Sequence, residues 1–261
     1  MASFVLVPGA GGMAWYWHRV VPLIRAAGHE AIAVDLPGDD GRAGLAAYAD
    51  IVIHAIAERS DVILVAQSLA GFTAPLVCAG APVRMLVLVN AMIPKPGEMA
   101  GAWWAATGAA EARAEAATRR GYATEFDVAT YFLHDVAQDV LRTGPAQPRE
   151  EAETVFGEPC RFERWPAIPI HVLAARDDRF FPIEFQRRVA RERLGKEVEE
   201  IPGGHLVALS NPKGLTERLL ARGPVQLGPA HISFSRSFFF RGYDPLGMLT
   251  LPAGVVSLAM A

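Results

Sequence analysis

The chain has 261 residues, of which 51% are hydrophobic and 20% are charged, and this composition excludes an intrinsically disordered protein. The net charge of −3 leaves no excess of basic residues to neutralise a nucleic-acid backbone, so we expect no nucleic-acid partner. The 2 cysteines, Cys78 and Cys160, lie on unrelated segments, which excludes a disulfide framework and a cysteine-based metal site.

The N-terminus enters an apolar run at once, without the basic region and cleavage site of a signal peptide. No apolar run approaches the ~20 residues that a membrane-spanning helix needs. We therefore expect a cytoplasmic protein without membrane contact. The sequence does not decide its oligomeric state, and a homodimer stays open.

Six short apolar runs, rich in Val, Ile and Leu, recur along the chain. They lack an alternation of polar and apolar residues, which is typical of strands covered on both faces, as in a parallel sheet. Amphipathic segments such as "WHRVVPLIRAAG", which ends at the stop residue Gly28, lie between them. The alternation predicts an α/β fold with a mostly parallel sheet of about six strands flanked by helices. The predicted strands are residues 3–7, 31–34, 61–66, 84–90, 168–173 and 197–201.

The alternation of strands and helices stops between residues 94 and 166. The stretch "GEMAGAWWAATGAAEARAEAATRR" predicts one or two helices. Insertions after the carboxyl ends of parallel strands lie where ligands bind, so we interpret residues 94–166 as a helical cap over an active site rather than as passive packing. Residues 1–93 and 167–222 then form the core. Trp103 and Trp104 either line the pocket or anchor the cap.

The C-terminal segment, residues 223–261, does not fit this pattern. It is apolar, is broken by Pro and Gly, and lacks helical periodicity. An edge strand and an association surface are alternatives, but the pattern favours a poorly ordered extension without a role of its own.

The third predicted strand leads into "VAQSLAGF" and an apolar helix. A serine between small residues at a strand-to-helix turn is the layout of a nucleophile elbow, which makes Ser68 a candidate nucleophile. The positions two before and two after it, usually glycine in this motif, are Ala66 and Ala70. Taken alone, the motif fits an N-capping serine equally well.

Two later strands end in candidate partners for the Ser68 hydroxyl. The fifth predicted strand ends in "AARDDRFFP", which contains Asp177 and Asp178, and the sixth ends in "PGGHLVALS", which contains His205. A hydroxyl nucleophile needs a base, and the base needs an orienting acid. The carboxyl ends of parallel strands meet at one edge of the sheet. The sequence therefore predicts a catalytic triad in the order serine, acid, histidine.

These motifs resemble the α/β-hydrolase superfamily, and within it the branch of small esterases that includes plant hydroxynitrile lyases and methylesterases. The resemblance covers about residues 3–221 and rests on the segments "FVLVPGAGGMAWYWHRVVPLI", "DLPG", "VAQSLAGF", "AARDDRFFP" and "PGGHLVALS".

The resemblance also ranks the candidate acids. In this family the acid lies in the motif G-x-x-D-x-x-x-P, which falls here on residues 175–182 and puts Asp178 in the acid role, with Asp177 as runner-up. Some relatives place the acid one strand earlier. That position is Asn90 in this chain, which cannot supply an anion.

The glycine-rich loop after the first strand, "PGAGGMAW", has two interpretations. The pattern G-x-G-x-x-[GA] followed by an acid at Asp35 is typical of a dinucleotide site. In the hydrolases that the chain resembles, the same loop supplies one oxyanion-hole N–H and the residue after the nucleophile supplies the other, which implies Ala10 and Leu69. Trp15 and Trp17 disfavour the dinucleotide site, because close helix–strand packing there prefers small residues. Asp35 is then a polar strand end or a turn residue.

The resemblance implies a serine hydrolase that cleaves a small carboxylic ester through an acyl-enzyme, with a small-molecule substrate and no metal or organic cofactor. The hydroxynitrile lyases of this branch carry a threonine at the position of Gly9 and a lysine after the histidine, where this chain has Leu206. Gly9 and Leu206 therefore favour ester hydrolysis over cyanohydrin cleavage in this chain. A carbon–carbon lyase and a ligand-binding receptor stay open as alternatives, and Gly9, Trp103 and Trp104 are the candidate pocket residues.

Overall fold

A computed structural model of the protein describes residues 1–222. The predicted C-terminal extension, residues 223–261, lies outside the described residues. Across residues 1–222, no helix has both the length and the apolar character required to cross a membrane.

A sheet of six parallel strands, in the order β2-β1-β3-β4-β5-β6, forms the centre of the described residues. This confirms the predicted fold class, and the strand limits differ from the predicted ones by at most two residues. The strands are β1 (Ser3–Val7), β2 (Glu30–Ala33), β3 (Val62–Gln67), β4 (Val83–Val89), β5 (Ile170–Ala175) and β6 (Val198–Ile201).

The central strands β1, β3 and β4 are apolar along most of their length because both of their faces are covered. Side chains alternate between the faces along a strand. Val5 and Leu64 belong to the core on one side of the sheet, and Leu6 and Val65 belong to the core on the other. All four side chains are fully buried, which explains why these strands show no polar alternation in the sequence.

Helices flank the sheet on both sides. On one side, α2, α3 and α9 contribute Tyr48, Phe72 and Phe185 to the core. On the other side, α1 and α11 contribute Ile24 and Leu215. The helices are α1 (Val21–Ala26), α2 (Leu45–Ile56), α3 (Ala70–Gly80), α4 (Ala100–Thr107), α5 (Ala109–Arg120), α6 (Val128–Tyr131), α7 (Gln138–Leu141), α8 (Glu153–Gly157), α9 (Ile183–Leu194), α10 (Val207–Ser210) and α11 (Pro212–Leu220), with a short 3-10 helix at Ala14–Trp17.

The segment between β4 and β5 contains the helices α4 to α8. The stretch at 97–120 forms two helices because Gly108 adopts a left-handed conformation, with φ 65°, between α4 and α5. A buried ion pair between Glu98 and Arg193 ties the start of this segment to α9, and the Arg193 guanidinium also donates to the carbonyl of Ile93 at 2.7 Å.

Four polar residues follow four neighbouring strands at the same edge of the sheet. Ser68 follows β3, Asn90 follows β4, Asp178 lies three residues after β5, and His205 lies four residues after β6. The parallel register brings these strand ends together, so the fold itself assembles the polar cluster described next.

Candidate active site

Ser68 sits on a sharp turn between β3 and α3. Its φ of 52° is left-handed, a strained conformation for a residue with a side chain and the one expected at a nucleophile elbow. The Ser68 carbonyl accepts hydrogen bonds from the N–H groups of Gly71 at 3.1 Å and Met92 at 2.9 Å, which fix the turn. A Cβ atom on Gly71 would overlap the Met92 carbonyl oxygen. The tight turn therefore leaves no room for a side chain at position 71.

Ser68, His205 and Asp178 form a continuous chain of hydrogen bonds. The distance from Ser68 Oγ to His205 Nε2 is 3.0 Å, and that from His205 Nδ1 to Asp178 Oδ2 is 2.9 Å. When Nδ1–H donates to the carboxylate, Nε2 is left to accept the serine proton. The exposed fraction is 8% for Ser68, 2% for His205 and 0% for Asp178, so these hydrogen bonds are shielded from bulk water.

The structure places Asp178, not Asp177, against the imidazole. The other carboxylate oxygen of Asp178 accepts the backbone N–H groups of Phe180 at 2.8 Å and Phe181 at 2.9 Å. Asp177 instead pairs with Arg176 and is 45% exposed. Partial burial alone would raise the pKa of Asp177, but the hydrogen bonds from Arg176 and from the Gly203 N–H hold it below its ordinary value.

Two buried amides, which the sequence analysis did not assign to the site, hold the histidine loop. Asn90 donates to the carbonyls of His205 at 3.0 Å and Gly204 at 3.2 Å, while its Oδ1 accepts the N–H of Ala175 at 2.7 Å. Gln67 donates to the His205 carbonyl at 3.4 Å. The sequence signal for both is a polar residue at the end of a buried strand.

The glycine-rich loop after β1 packs against the serine turn. The Gly9 N–H donates to the Gln67 side chain at 3.0 Å, and Gly12 closes the loop by donating to the Gly9 carbonyl at 3.0 Å. Among the described residues, the backbone N–H groups of Ala10 and Leu69 have no acceptor. Two free donors beside a serine are what an oxyanion hole requires.

Asp35, the acid of the dinucleotide interpretation, is engaged by the protein itself. Both of its carboxylate oxygens lie 2.7 Å from Arg149, and one accepts the N–H of Ala14 at 2.9 Å. A ribose hydroxyl would have to displace this ion pair, in which one Arg149 nitrogen, Nη2, contacts both oxygens, so the geometry disfavours a dinucleotide in the loop.

The segment between β4 and β5 supplies a carboxylate that also contacts the glycine-rich loop. Glu151 accepts the Gly11 N–H and the Tyr48 hydroxyl, each at 2.6 Å. Burial raises the pKa of Glu151 above its ordinary value. No sequence pattern points to this contact, because 140 residues separate Gly11 from Glu151.

Aromatic rings surround the imidazole of His205. Phe132 stacks on it with ring centroids 5.0 Å apart, and Phe180 and Phe181 meet it edge-on at 5.0 and 5.2 Å. Phe180 also lines a pocket of about 430 Å³, together with Trp104. This apolar surround lowers the local dielectric and strengthens the hydrogen bonds of the triad.

The two candidate pocket tryptophans lie in different surroundings. Trp103 is fully buried, packs against Phe181 and Phe185, and donates from Nε1 to the Ile93 carbonyl at 3.1 Å, so it is a core residue. Trp104 lines the pocket. Gly9, the third candidate, lies directly beside the serine turn, where an added Cβ would be 2.8 Å from Ser68 Cβ.

Metal-binding side chains and cysteine thiols are the other groups of chemical interest in the described part of the chain. Residues 1–222 contain no group of three or more His, Cys, Asp or Glu side chains arranged to hold a metal ion. Burial raises the pKa of both Cys78 and Cys160 to about 12, which keeps these thiols protonated and unreactive at neutral pH.

Comparison with known proteins agrees with this architecture. A probable esterase (PIR7A) of Oryza sativa subsp. indica is 34% identical over 110 residues, which cover 38% of this chain and 42% of the rice protein. The match thus spans less than half of that relative. An alpha-hydroxynitrile lyase of Arabidopsis thaliana is 27% identical over 255 residues, covering 84% of this chain and 95% of the lyase.

Solved structures share the fold. A pyrethroid hydrolase from Sphingobium faniae JZ-2 superimposes with a TM-score of 0.68 at 23% identity, covering 84% of this chain and 96% of that structure. The model of the alpha/beta hydrolase family matches residues 4–218, which is most of the chain. The protein therefore belongs to the alpha/beta hydrolase family.

Proposed function

We propose that the protein is a serine hydrolase that cleaves small carboxylic esters through a covalent acyl-enzyme. The observation that carries the proposal is the hydrogen-bonded chain Ser68–His205–Asp178 at a strained strand-to-helix turn. Similarity to a probable esterase of rice, and to a methyl jasmonate esterase of Vitis vinifera that is 32% identical over 105 residues, supports the same reaction class.

In the proposed first half-reaction, His205 Nε2 takes the proton of Ser68 Oγ as that oxygen bonds to the ester carbonyl carbon. The carbonyl electron pair moves to its oxygen, which the N–H groups of Ala10 and Leu69 stabilise. Asp178 balances the imidazolium charge and keeps Nδ1 protonated. Collapse of the tetrahedral intermediate breaks the ester bond, and the leaving alkoxide takes the proton from His205.

In the second half-reaction, water attacks the acyl-enzyme. His205 takes a proton from the water as its oxygen bonds to the acyl carbon, and the same two N–H groups hold the oxyanion. Collapse breaks the bond to Ser68 Oγ, which recovers its proton from His205, and the carboxylic acid leaves. This sequence needs no group beyond the chain, the ester and water.

We assign residues 94–166 to a cap over this site. The support is that Phe132 stacks on His205, Trp104 lines the neighbouring pocket, and Glu151 binds the glycine-rich loop. One point of this segment thus contacts the proposed base, and two others contact the neighbouring pocket and loop, as a cap requires.

Cyanohydrin cleavage is the alternative reaction on the same triad, and the similarity to the Arabidopsis lyase keeps it worth testing. A Cβ atom at position 9 would lie 2.5 Å from Gln67 Oε1, so a threonine does not fit there unless Gln67 moves. Leu206 brings no charge beside His205, and an uncompensated cyanide ion would be costly in this apolar surround. Ester turnover should exceed the turnover of mandelonitrile and acetone cyanohydrin.

The decisive experiment combines a fluorophosphonate probe with a panel of short acyl and aryl esters. Wild-type protein should be labelled at Ser68, and Ser68→Ala should lose both labelling and about 10⁴-fold or more of kcat with an unchanged circular-dichroism spectrum. Ser60→Ala is the matched control, because Ser60 is exposed on the loop before β3. Labelling at another residue would refute Ser68 as the nucleophile. An unlabelled protein that hydrolyses no ester would refute the proposal and favour a ligand-binding receptor.

A further inference from the structure

The pocket beside Phe180 is apolar apart from one charged side chain. Its volume is about 430 Å³, and its lining consists of Trp104, Ala110, Arg113, Phe126 and Phe180. Such a volume suits a small organic ligand. The pocket is adjacent to the proposed site, because the ring of Phe180 lines the pocket and its centroid lies 5.0 Å from that of the His205 imidazole.

Arg113 is surrounded by aromatic rings. Its guanidinium carbon lies 5.5 Å from the centroid of Phe126, 5.4 Å from that of Tyr131 and 5.5 Å from that of Phe180. Since Phe180 also touches His205, the guanidinium and the imidazole contact the same ring. A group bound to Arg113 therefore lies within the reach of a short organic chain from the proposed nucleophile.

Within residues 1–222, Arg113 forms no ion pair, and its buried Nε has no hydrogen-bond partner. This sets it apart from Arg149 and Arg193, each of which pairs with a carboxylate. The neighbouring Arg179 donates to the Thr130 carbonyl at 3.2 Å.

Aromatic faces stabilise the charge of a guanidinium but accept none of its N–H groups in a strong hydrogen bond. A positive charge in an apolar pocket without a counter-ion attracts an anion more strongly than the same charge in water. Arginine presents its donors as a planar fork that matches a carboxylate, and such bidentate pairs are short and strong.

We propose that Arg113 binds a free carboxylate of the substrate, so that the substrate class is a hydrophobic monoester of a dicarboxylic acid. The inference rests on the proposed ester hydrolysis and specifies it further. The ester group lies at Ser68, the apolar spacer lies against Phe180 and Trp104, and the second carboxylate meets the guanidinium. Arg113 is then the residue that determines specificity.

The test compares esters that differ only in the remote group: mono-para-nitrophenyl suberate and sebacate, against the para-nitrophenyl esters of the monoacids of equal length. Arg113→Gln should lower kcat/KM for at least one anionic ester by about 10-fold or more. Its kcat/KM for the neutral esters should stay within about 3-fold of wild type. Arg119→Gln removes the same charge from an exposed position of the same helix, α5, and should leave both classes unchanged.

A second measurement does not depend on turnover. Calorimetry on Ser68→Ala should show binding of monomethyl suberate that weakens by about 10-fold or more in Ser68→Ala/Arg113→Gln. If wild type hydrolyses no ester but this difference in binding holds, the proposed reaction fails and the carboxylate site stands. Equal losses for anionic and neutral esters, or equal binding of monomethyl suberate with and without Arg113, would overturn the carboxylate site.

Discussion

The side chain of Asn90 donates to the backbone carbonyl of His205 at 3.0 Å, so the residue that follows β4 fixes the loop that carries the proposed base. Asn90 itself adopts a left-handed φ of 45° and is fully buried. It also accepts the N–H of Ala175 at the end of β5. One amide thus joins the ends of two strands to the histidine loop.

We expect Asn90→Ala to lower both stability and turnover. It leaves the Ala175 N–H buried without its partner, and the His205 carbonyl keeps only the 3.4 Å hydrogen bond from Gln67, which together should cost about 2–3 kcal/mol in the free energy of unfolding. Loosening the loop should also lower kcat by about 10-fold or more. Urea unfolding and ester kinetics measure the two effects.

The control for this prediction is Thr216→Val. The buried Thr216 hydroxyl donates to the Pro212 carbonyl at 2.7 Å within α11, so its loss should cost about 1 kcal/mol of stability but leave kcat unchanged. An Asn90→Ala protein with normal kcat would show that the amide stabilises the fold without positioning His205.

The two neighbouring aspartates should differ sharply on mutation. Asp178→Asn keeps the size of the side chain but favours the wrong imidazole tautomer, and we expect kcat to fall by about 10³- to 10⁴-fold. Asp177→Asn is its matched control. Asp177 pairs with Arg176 at the surface and should change kcat by less than about 3-fold. If Asp177→Asn lowered kcat more than Asp178→Asn does, the assignment of Asp178 as the acid would be wrong.

Position 9 should tolerate no side chain. A Cβ atom there would lie 2.5 Å from Gln67 Oε1 and 2.8 Å from Ser68 Cβ, so Gly9→Ala should displace the glycine-rich loop and the serine turn together. We expect kcat/KM to fall by about 10-fold or more. Gly41→Ala should be silent in the same assay, because no atom lies within 4 Å of an added Cβ at that position.

Acid should weaken the fold through Glu30, far from the site. Hydrogen bonds from Arg59 and Ser3 lower the pKa of Glu30 to about 2. A lowered pKa stabilises the fold above the unfolded-state value of about 4.3, and this contribution disappears as the pH falls towards 2. The ion pair is partly exposed, so its contribution is about 0.5–1 kcal/mol.

The corresponding experiment compares unfolding free energies at pH 7 and at low pH. Glu30→Gln should be less stable than wild type at neutral pH and nearly equal to it near pH 2. Glu58→Gln, an exposed position that forms no ion pair within residues 1–222, should follow wild type throughout. A constant difference between wild type and Glu30→Gln at all pH values would show that the ionised carboxylate is not responsible.

Local patterns predicted the strands, and the strands carry much of the candidate site. The buried runs are visible in the sequence because both faces of the sheet are apolar, and the residues that follow them had to meet at one edge. Ser68, His205 and the neighbouring pair Asp177 and Asp178 could therefore be chosen as candidates from their positions after strands. The preference for Asp178 came from the resemblance to a known family.

Contacts between distant segments could not be predicted in this way. Glu151 and Arg113 lie in the segment between β4 and β5, whose helices carry ordinary amphipathic or polar sequences. Nothing in the sequence near Arg113 shows that aromatic residues as far apart as Phe126 and Phe180 will surround it. Likewise, only the folded chain brings Glu151 to the Gly11 N–H.

The segment that supplies Phe132 and Glu151 has a consequence for the order in which the protein assembles. The pairing of β3 with β4 joins parts of the chain that are close in sequence, whereas the contact between Gly11 and Glu151 closes 140 residues. Long closures of this kind form late, because their loop entropy must be overcome before the contact stabilises them. During refolding, β-sheet signals should therefore recover before ester hydrolysis, and enzymatic activity would report the last part of the chain to arrive.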